Sequence, residues 1–413
     1  MTPRLREQPA AAWAILTAFV VASMGIGLVD PILPIIAQGL HATNSQVELL
    51  FTSYFAIIGV SMLGTGWLSS RLGVKNTMLL GLSLVVVCAA AAGAANSVVL
   101  VVAFRAGWGL GIALFISTCM TALIGVTRGG VAVAVVLFES ALAAGIASGP
   151  LVGGILGGIG WRYPFFGVSL LMIFAFLSIL RGMDRTPPPP REQRIALSAP
   201  LRALGDRHVL LGALVALLYN FGFFVLLAYT PLPLGLGVHE LGLVFFAWGL
   251  LVAFGAIIVA PALMARRAIV PTLTAALCVL SADLAIIGLA VHDRGVMIAG
   301  IIGCGVVLGV ANALLSNLLI GLTTGNPSVA SSATNFMRFG GGAIAPFLSG
   351  KLSEHVSIAS PLYVGAGVVL AGVGIMVVFR PLLARGERPA IGADAPVAAD
   401  PLEVPLAGSS ASR

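Results

Sequence analysis

"AGIASGPLVGGILGG", Ala144 to Gly158, sets six glycines and one proline inside one of the most apolar regions of the chain. In a soluble helix each glycine costs about 1 kcal/mol relative to alanine, and an interior proline about 3 kcal/mol. In lipid the same residues have a use. Small side chains let membrane helices approach closely, and neighbouring groups re-satisfy the carbonyl that a proline frees. Gly145, Gly149, Gly153 and Gly157 recur every four residues, which sets them along one helix face. The stretch reads as a close-packing, bendable face of a membrane helix.

The rest of the chain fits that solvent. Of 413 residues, 59% are hydrophobic and 9% charged. A soluble domain carries about a quarter charged residues, so this chain lacks the polar side chains to cover a water-facing surface. Spanning helices need about twenty mostly apolar residues. Twelve such segments are legible: 11–38, 46–69, 77–95, 98–122, 131–157, 163–181, 208–230, 240–264, 269–291, 295–321, 328–352 and 359–380. Turn signals such as "HATNSQ", "RLGVKN", "GIGWRY" and "VHDRG" divide them. The first segment follows Arg4 and Arg6 in the manner of a signal peptide, but it is too long for one and reads as a retained helix.

The net charge of +7 reports topology. With the N-terminus inside, the inner connections hold most of the basic residues, among them Arg71, Lys75, Arg128, Arg266 and Arg267, while the outer ones hold only Arg162 and Arg294. This positive-inside bias predicts a multi-pass plasma-membrane protein with both termini cytoplasmic. It also removes the reason to expect a nucleic-acid partner. Cys88, Cys119, Cys278 and Cys304 lie in apolar runs and read as small hydrophobes. The five histidines form no His-x-x-x-His pair. No metal site, cofactor site, phosphate-binding loop or nucleophile motif is legible. No enzymatic role is expected, and any transport must draw on an ion gradient.

The longest polar interruption, 182–207, contains Pro187 to Pro190 and favours an extended connection. It predicts an N-terminal six-helix bundle (1–181), a cytoplasmic Pro-rich linker (182–207), a C-terminal six-helix bundle (208–385) and a disordered cytoplasmic tail (386–413). The halves echo each other. "DPILP" (Asp30 to Pro34) is matched by "TPLP" (Thr230 to Pro233), and "GIASGPLVGG" (Gly145 to Gly154) by "GGAIAPFLSG" (Gly341 to Gly350). The expected fold is an all-α membrane protein of twelve transmembrane helices in two pseudo-symmetric six-helix bundles. In repeated transporter units of this kind substrate sits near the midplane, between halves that rock.

Four motifs resemble the major facilitator superfamily, and within it the twelve-helix drug–proton antiporters. "GWLSSRLGVK" (Gly66 to Lys75) resembles the signature loop between helices 2 and 3, matching at Gly66, Leu68, Arg71, Gly73 and Lys75, with Ser70 where an aspartate is usual. "LVVAFRAGWGLG" (Leu100 to Gly111) resembles the helix 4 motif, and "DPILP" the helix 1 motif. "GIASGPLVGG" matches in full the helix 5 motif associated with exporters.

The resemblance implies a proton-coupled exporter of small, largely apolar or cationic molecules, acting as a monomer by alternating access. The alternative is an importer or symporter of a small metabolite on the same fold. It implies coupling by Asp30 and Arg105, which lie at matching depths. Glu139, about 12 Å into segment 5 by the helical rise, reads as a second proton carrier, a counter-charge for a cationic substrate, or a neutral packing residue. Glu139, Asn220, Asn335, Arg338, Tyr54 and Phe115 are the candidate cavity residues. Structural readings stay open beside each: static pairing for Asp30 and Arg105, interhelical bonding for the asparagines, ordinary packing for the aromatics. Asp283 should turn inward, away from lipid. Gly66, Ser70, Arg71, Gly73, Lys75, Gly145, Gly149, Pro150, Gly153 and Gly154 are the expected gating positions. By the same resemblance the glycine stripe of segment 5 should meet the opposite half near the outer gate.

Overall fold

The computed structural model describes residues 8–128, 130–184, 195–322 and 327–387. Arg4, Arg6, Pro187 to Pro190 and the tail beyond Glu387 lie outside them, as do the side chains of Asp30 and Glu139. Regular structure among the described residues is helical. Twelve long helices follow the twelve expected segments: α1 (Ala10–Gly27), α2 (Asn44–Leu72), α3 (Val74–Ala94), α4 (Val98–Val126), α5 (Gly130–Ile159), α6 (Tyr163–Gly182), α7 (Arg207–Phe224), α8 (Val238–Phe254), α9 (Ile269–Leu289), α10 (Arg294–Leu322), α11 (Pro327–His355) and α12 (Ser360–Val378). Ten of the twelve are long and apolar enough to cross a membrane; α1 has a shorter apolar run, Ala10–Gly25, and the more polar α11 is not among the ten.

Local chemistry fixes the ends. Thr43 accepts the Gln46 amide while the Gln46 side chain accepts the Thr43 amide, a capping box that starts α2. Ser97 and Asp206 cap α4 and α7. Gly73 separates α2 from α3 with φ of 81°, a conformation that a side chain disfavours. α7 and α8 each widen into a π-helical turn, Val225–Tyr229 and Gly255–Val259, shortly before Pro231 and Pro261. A proline cannot donate to the preceding turn. Before Pro231, the Thr230 hydroxyl donates to the Leu226 carbonyl at 2.5 Å.

In the N-terminal bundle α1 packs on α5 and α6, α2 on α4, and α3 on α4 and α6. In the C-terminal bundle α7 packs on α11 and α12, α8 on α10, and α9 on α10 and α12. Between bundles the main contacts are α2 with α11 and α5 with α8. Exposed apolar side chains such as Val87, Leu170, Phe174, Ile258 and Leu289 cover the outer wall, as a lipid-facing surface requires.

Both ends of the described chain lie at one end of the bundle, the terminal end. There Gln8 donates to the Arg128 carbonyl at 3.0 Å, and the His208 ring meets the Leu382 carbonyl at 3.2 Å. At the opposite, far end, Arg162 donates to the carbonyls of Gly93 and Ala95 at 2.8 and 2.7 Å, and Arg294 to that of Gly235 at 3.4 Å. The two basic residues expected in outer loops therefore satisfy backbone groups at helix ends.

Candidate functional site

The glycine stripe of α5 packs where the resemblance did not put it. A Cβ on Gly145 would lie 2.5 Å from the Val20 carbonyl, and one on Gly149 2.6 Å from that of Met24. One on Gly153 would collide with the Leu28 carbonyl. All three contacts are with α1 and the turn after it, inside the same bundle. The neighbouring face crosses to the other bundle. A Cβ on Gly154 would lie 3.0 Å from Cα of Gly242, and one on Gly249 2.6 Å from Cα of Ala147. Gly157 reaches both sides, meeting Ile32 and Val238. Residues four apart share a face, and that face is spent on α1. Pro150 lies within the continuous helix α5, and its carbonyl approaches Gly242.

The repeat is visible in these contacts. Gly341, 196 positions after Gly145, packs on the Leu217 backbone of α7. Gly350, 196 positions after Gly154, packs on Ser45 and Glu48 of α2. Each bundle thus uses one small face internally and one across the interface.

Arg105 is fully buried. Its guanidinium donates to the Gly25 carbonyl at 3.0 Å and lies between the rings of Tyr54 and Trp108, at 4.1 and 4.3 Å from their centroids. Cation–π contacts of this kind strengthen when desolvated. The arginine therefore ties α4 to α1 and α2. Asp30 begins a short 3-10 turn, Asp30–Ile32, after α1. Glu139 belongs to α5. Tyr54 and Phe115 carry no exposed surface in this arrangement.

In the signature loop, Lys75 is buried and donates to the carbonyl of Leu180 at 2.8 Å and to that of Met183. It satisfies carbonyls that the end of α6 leaves open. Arg71 lies over the Trp67 ring at 4.1 Å. The Ser70 hydroxyl donates back to the Trp67 carbonyl at 2.9 Å, within its own helix. Gly66 meets Ile195 of the connection between bundles, and Gly64 meets Leu197.

In the C-terminal bundle, Arg338 of α11 donates to the Asn312 side chain of α10. Asn220 donates to Ala216 and Asn317 to Ala313, each at 2.9 Å within its own helix. Asn335, half-buried, reaches Ser331 at 3.5 Å. Asp283 turns toward α10, where its Oδ1 would be 3.4 Å from a Cβ on Gly300. At mid-depth an aromatic group bridges the bundles: Phe55 of α2 lies 4.1 Å from Phe224 and 6.0 Å from Phe339, centroid to centroid, and Phe223 lies 5.7 Å from Trp248. Phe224, Phe339 and Trp248 were not among the expected site residues. Toward the terminal end Gly340 faces open space, and Ser331 and Asn317 are exposed. Half-buried Phe223, Phe339, Arg338 and Asn335 therefore offer an apolar wall with a few polar groups, the usual make-up of a small-molecule site.

Two six-helix bundles that meet along α2–α11 and α5–α8, with a half-buried aromatic and polar wall between them, have the build of a two-bundle membrane transporter. Residues 15–346 match the Major Facilitator Superfamily, and the chain belongs to that family. It is 44% identical over 380 residues to the multidrug efflux protein YfmO of Bacillus subtilis (strain 168), covering 92% of this chain and 96% of that one. It is 33% identical over 186 residues to the tetracenomycin C resistance and export protein of Streptomyces glaucescens, covering 43% of this chain and 34% of that one. Its fold is similar to that of a POT family transporter solved in complex with 5-aminolevulinic acid, with a TM-score of 0.76 at 12% identity, over 92% of this chain and 98% of that one.

Proposed function

We propose that this chain exports small, largely apolar or cationic molecules from the cell in exchange for protons, by alternating access. The observation that carries the reading is the shape of the interface between bundles. Backbone-close contacts hold the far end, at Gly154 with Gly242 and Gly350 with Ser45, whereas toward the terminal side a Cβ on Gly340 would meet nothing within 4 Å and Phe223, Phe339, Arg338 and Asn335 are only half-buried. An exporter loading from the cytoplasm needs that arrangement, with the terminal end inside and the far end outside. The arginine distribution supports the orientation. The likeness to a multidrug efflux protein over most of both chains supports export.

In this reading the units 1–181 and 208–385 rock about the linker 182–207, within one monomer in the plasma membrane. Phe223 and Phe339 take the apolar part of the substrate, and Glu139 its positive charge. Asp30 binds and releases the proton, with Arg105 as the cation that acts on it. Partial desolvation favours the neutral acid and a nearby guanidinium the ionised one, so a change of their separation changes proton binding. The test is uptake of a lipophilic fluorescent cation into everted vesicles under an imposed proton gradient. Asp30→Asn should abolish gradient-driven uptake while leaving counterflow of the same cation. Full gradient-driven uptake by Asp30→Asn overturns the coupling role, and uptake only in right-side-out vesicles overturns export.

A further inference from the structure

Glu48 was not among the expected site residues. It is the fifth residue of α2, about 6 Å along the helix from its start at the far end. It is fully buried, and among the described residues neither carboxylate oxygen has a hydrogen-bond partner. It sits in the contact between bundles: a Cβ added to Gly350 of α11 would lie 3.4 Å from both Cβ and Cγ of Glu48. The titratable and charged groups around it are engaged elsewhere or exposed. The Tyr229 hydroxyl, after α7, donates to the Ile358 carbonyl at 2.5 Å. Glu354 of α11 accepts the Ser45 amide at 2.7 Å. Lys351 and His355 of α11 and His41 before α2 are exposed. Arg105 of α4 lies over Tyr54, six positions further along α2. Ser349 of α11 is also buried with its hydroxyl unpartnered.

An ionised carboxylate in such a place has lost its water and gained no donor, which costs far more than burying a neutral polar group. We propose that Glu48 is a proton-binding site of the far-end gate: α2 and α11 close on the protonated carboxyl, and opening returns it to water as the carboxylate. The proton comes from far-side water when the gate closes and goes back to the same water when it opens. It does not cross the membrane, so this site differs in kind from a coupling acid. Closing binds a proton, so the closed-to-open ratio rises as pH falls. One linked proton changes that ratio by up to about tenfold per pH unit.

The inference rests on alternating access only in requiring the far end to open, and its readout is a distance rather than transport. Spin labels at Tyr163 and Val356, exposed far-end positions in opposite bundles, are introduced into the full chain with its four cysteines replaced, in nanodiscs at uniform pH. The long-distance population should grow several-fold from mildly acidic to mildly alkaline buffer. Glu48→Gln should stay closed throughout, and Glu354→Gln should keep the parent's response. A flat response in the parent, an unchanged response in Glu48→Gln, or a response lost only in Glu354→Gln overturns the proposal. Gradient-driven uptake is read separately, so lost uptake with an intact distance response counts against the export reading alone.

Discussion

The bundles meet along two lines, and the two are built of different materials. On the α5–α8 line, Gly154 faces Gly242 and Ala147 faces Gly249, backbone close to backbone. On the α2–α11 line, Gly350 allows the same approach, yet what it approaches is Ser45 and a buried carboxyl, and Phe55 and Phe339 lie deeper along it. Pseudo-symmetry supplies the small residue on both lines; the side chains opposite break it. The first contact depends on shape alone. The second also depends on the proton activity of the medium, so the halves of one gate answer to different conditions.

The largest expected effect separates the two faces of α5. Gly153→Leu must push against the backbone after α1 and should destabilise the N-terminal bundle by about 1–3 kcal/mol or more, seen as a lower melting temperature in detergent. Gly154→Leu should leave melting nearly unchanged and lengthen the Tyr163–Val356 distance at every pH. Equal melting losses in the two variants would erase the distinction between the faces. A smaller effect is expected at Lys75. Lys75→Met removes charge-assisted bonds to the end of α6, worth about 1.5–3 kcal/mol when buried, and should lower melting without moving the far-end distance. The smallest is Ser70→Asp. It restores the usual acid beside Arg71, worth about 0–1 kcal/mol for a partly exposed pair. It should modestly reduce the reaction of terminal-end cysteine probes with a water-soluble maleimide, and unchanged reactivity would leave Ser70 without a gating role.

Much of this was legible in the sequence. Runs of apolar residues gave the twelve helices, because lipid forces each backbone to satisfy itself. Gly73 stood out by its motif, and its φ of 81° supplies the physical reason. The repeat spacing of 196 carried through to contacts. The destination of the α5 stripe was hidden, since periodicity tells which residues share a face and not which neighbour that face meets. Partners on other helices were hidden for the same reason: Asn312 for Arg338, and the Leu180 and Met183 carbonyls for Lys75. Glu48 was obscured by its company, because an acid next to Asn44, Ser45 and Gln46 looks like a polar helix start at the headgroups. The available signal was its register: Glu48, Phe51, Phe55 and Met62 fall on one buried face, where an acid is out of place.

The bond from Lys75 to Met183 has a mechanical consequence. Met183 is the first residue after α6, so the connection between bundles departs from a point fastened to the start of α3. Further along, Ile195 and Leu197 return to Gly66 and Gly64 of α2. Both stretches of the connector are moored to the N-terminal bundle, and they ride with it as cargo. The short helix Ala199–Ala203 that follows packs on α11 of the other bundle, so in the proposed rocking motion the strain falls on the few residues between Leu197 and that helix. The tether's working length is therefore much shorter than the stretch of chain between the bundles.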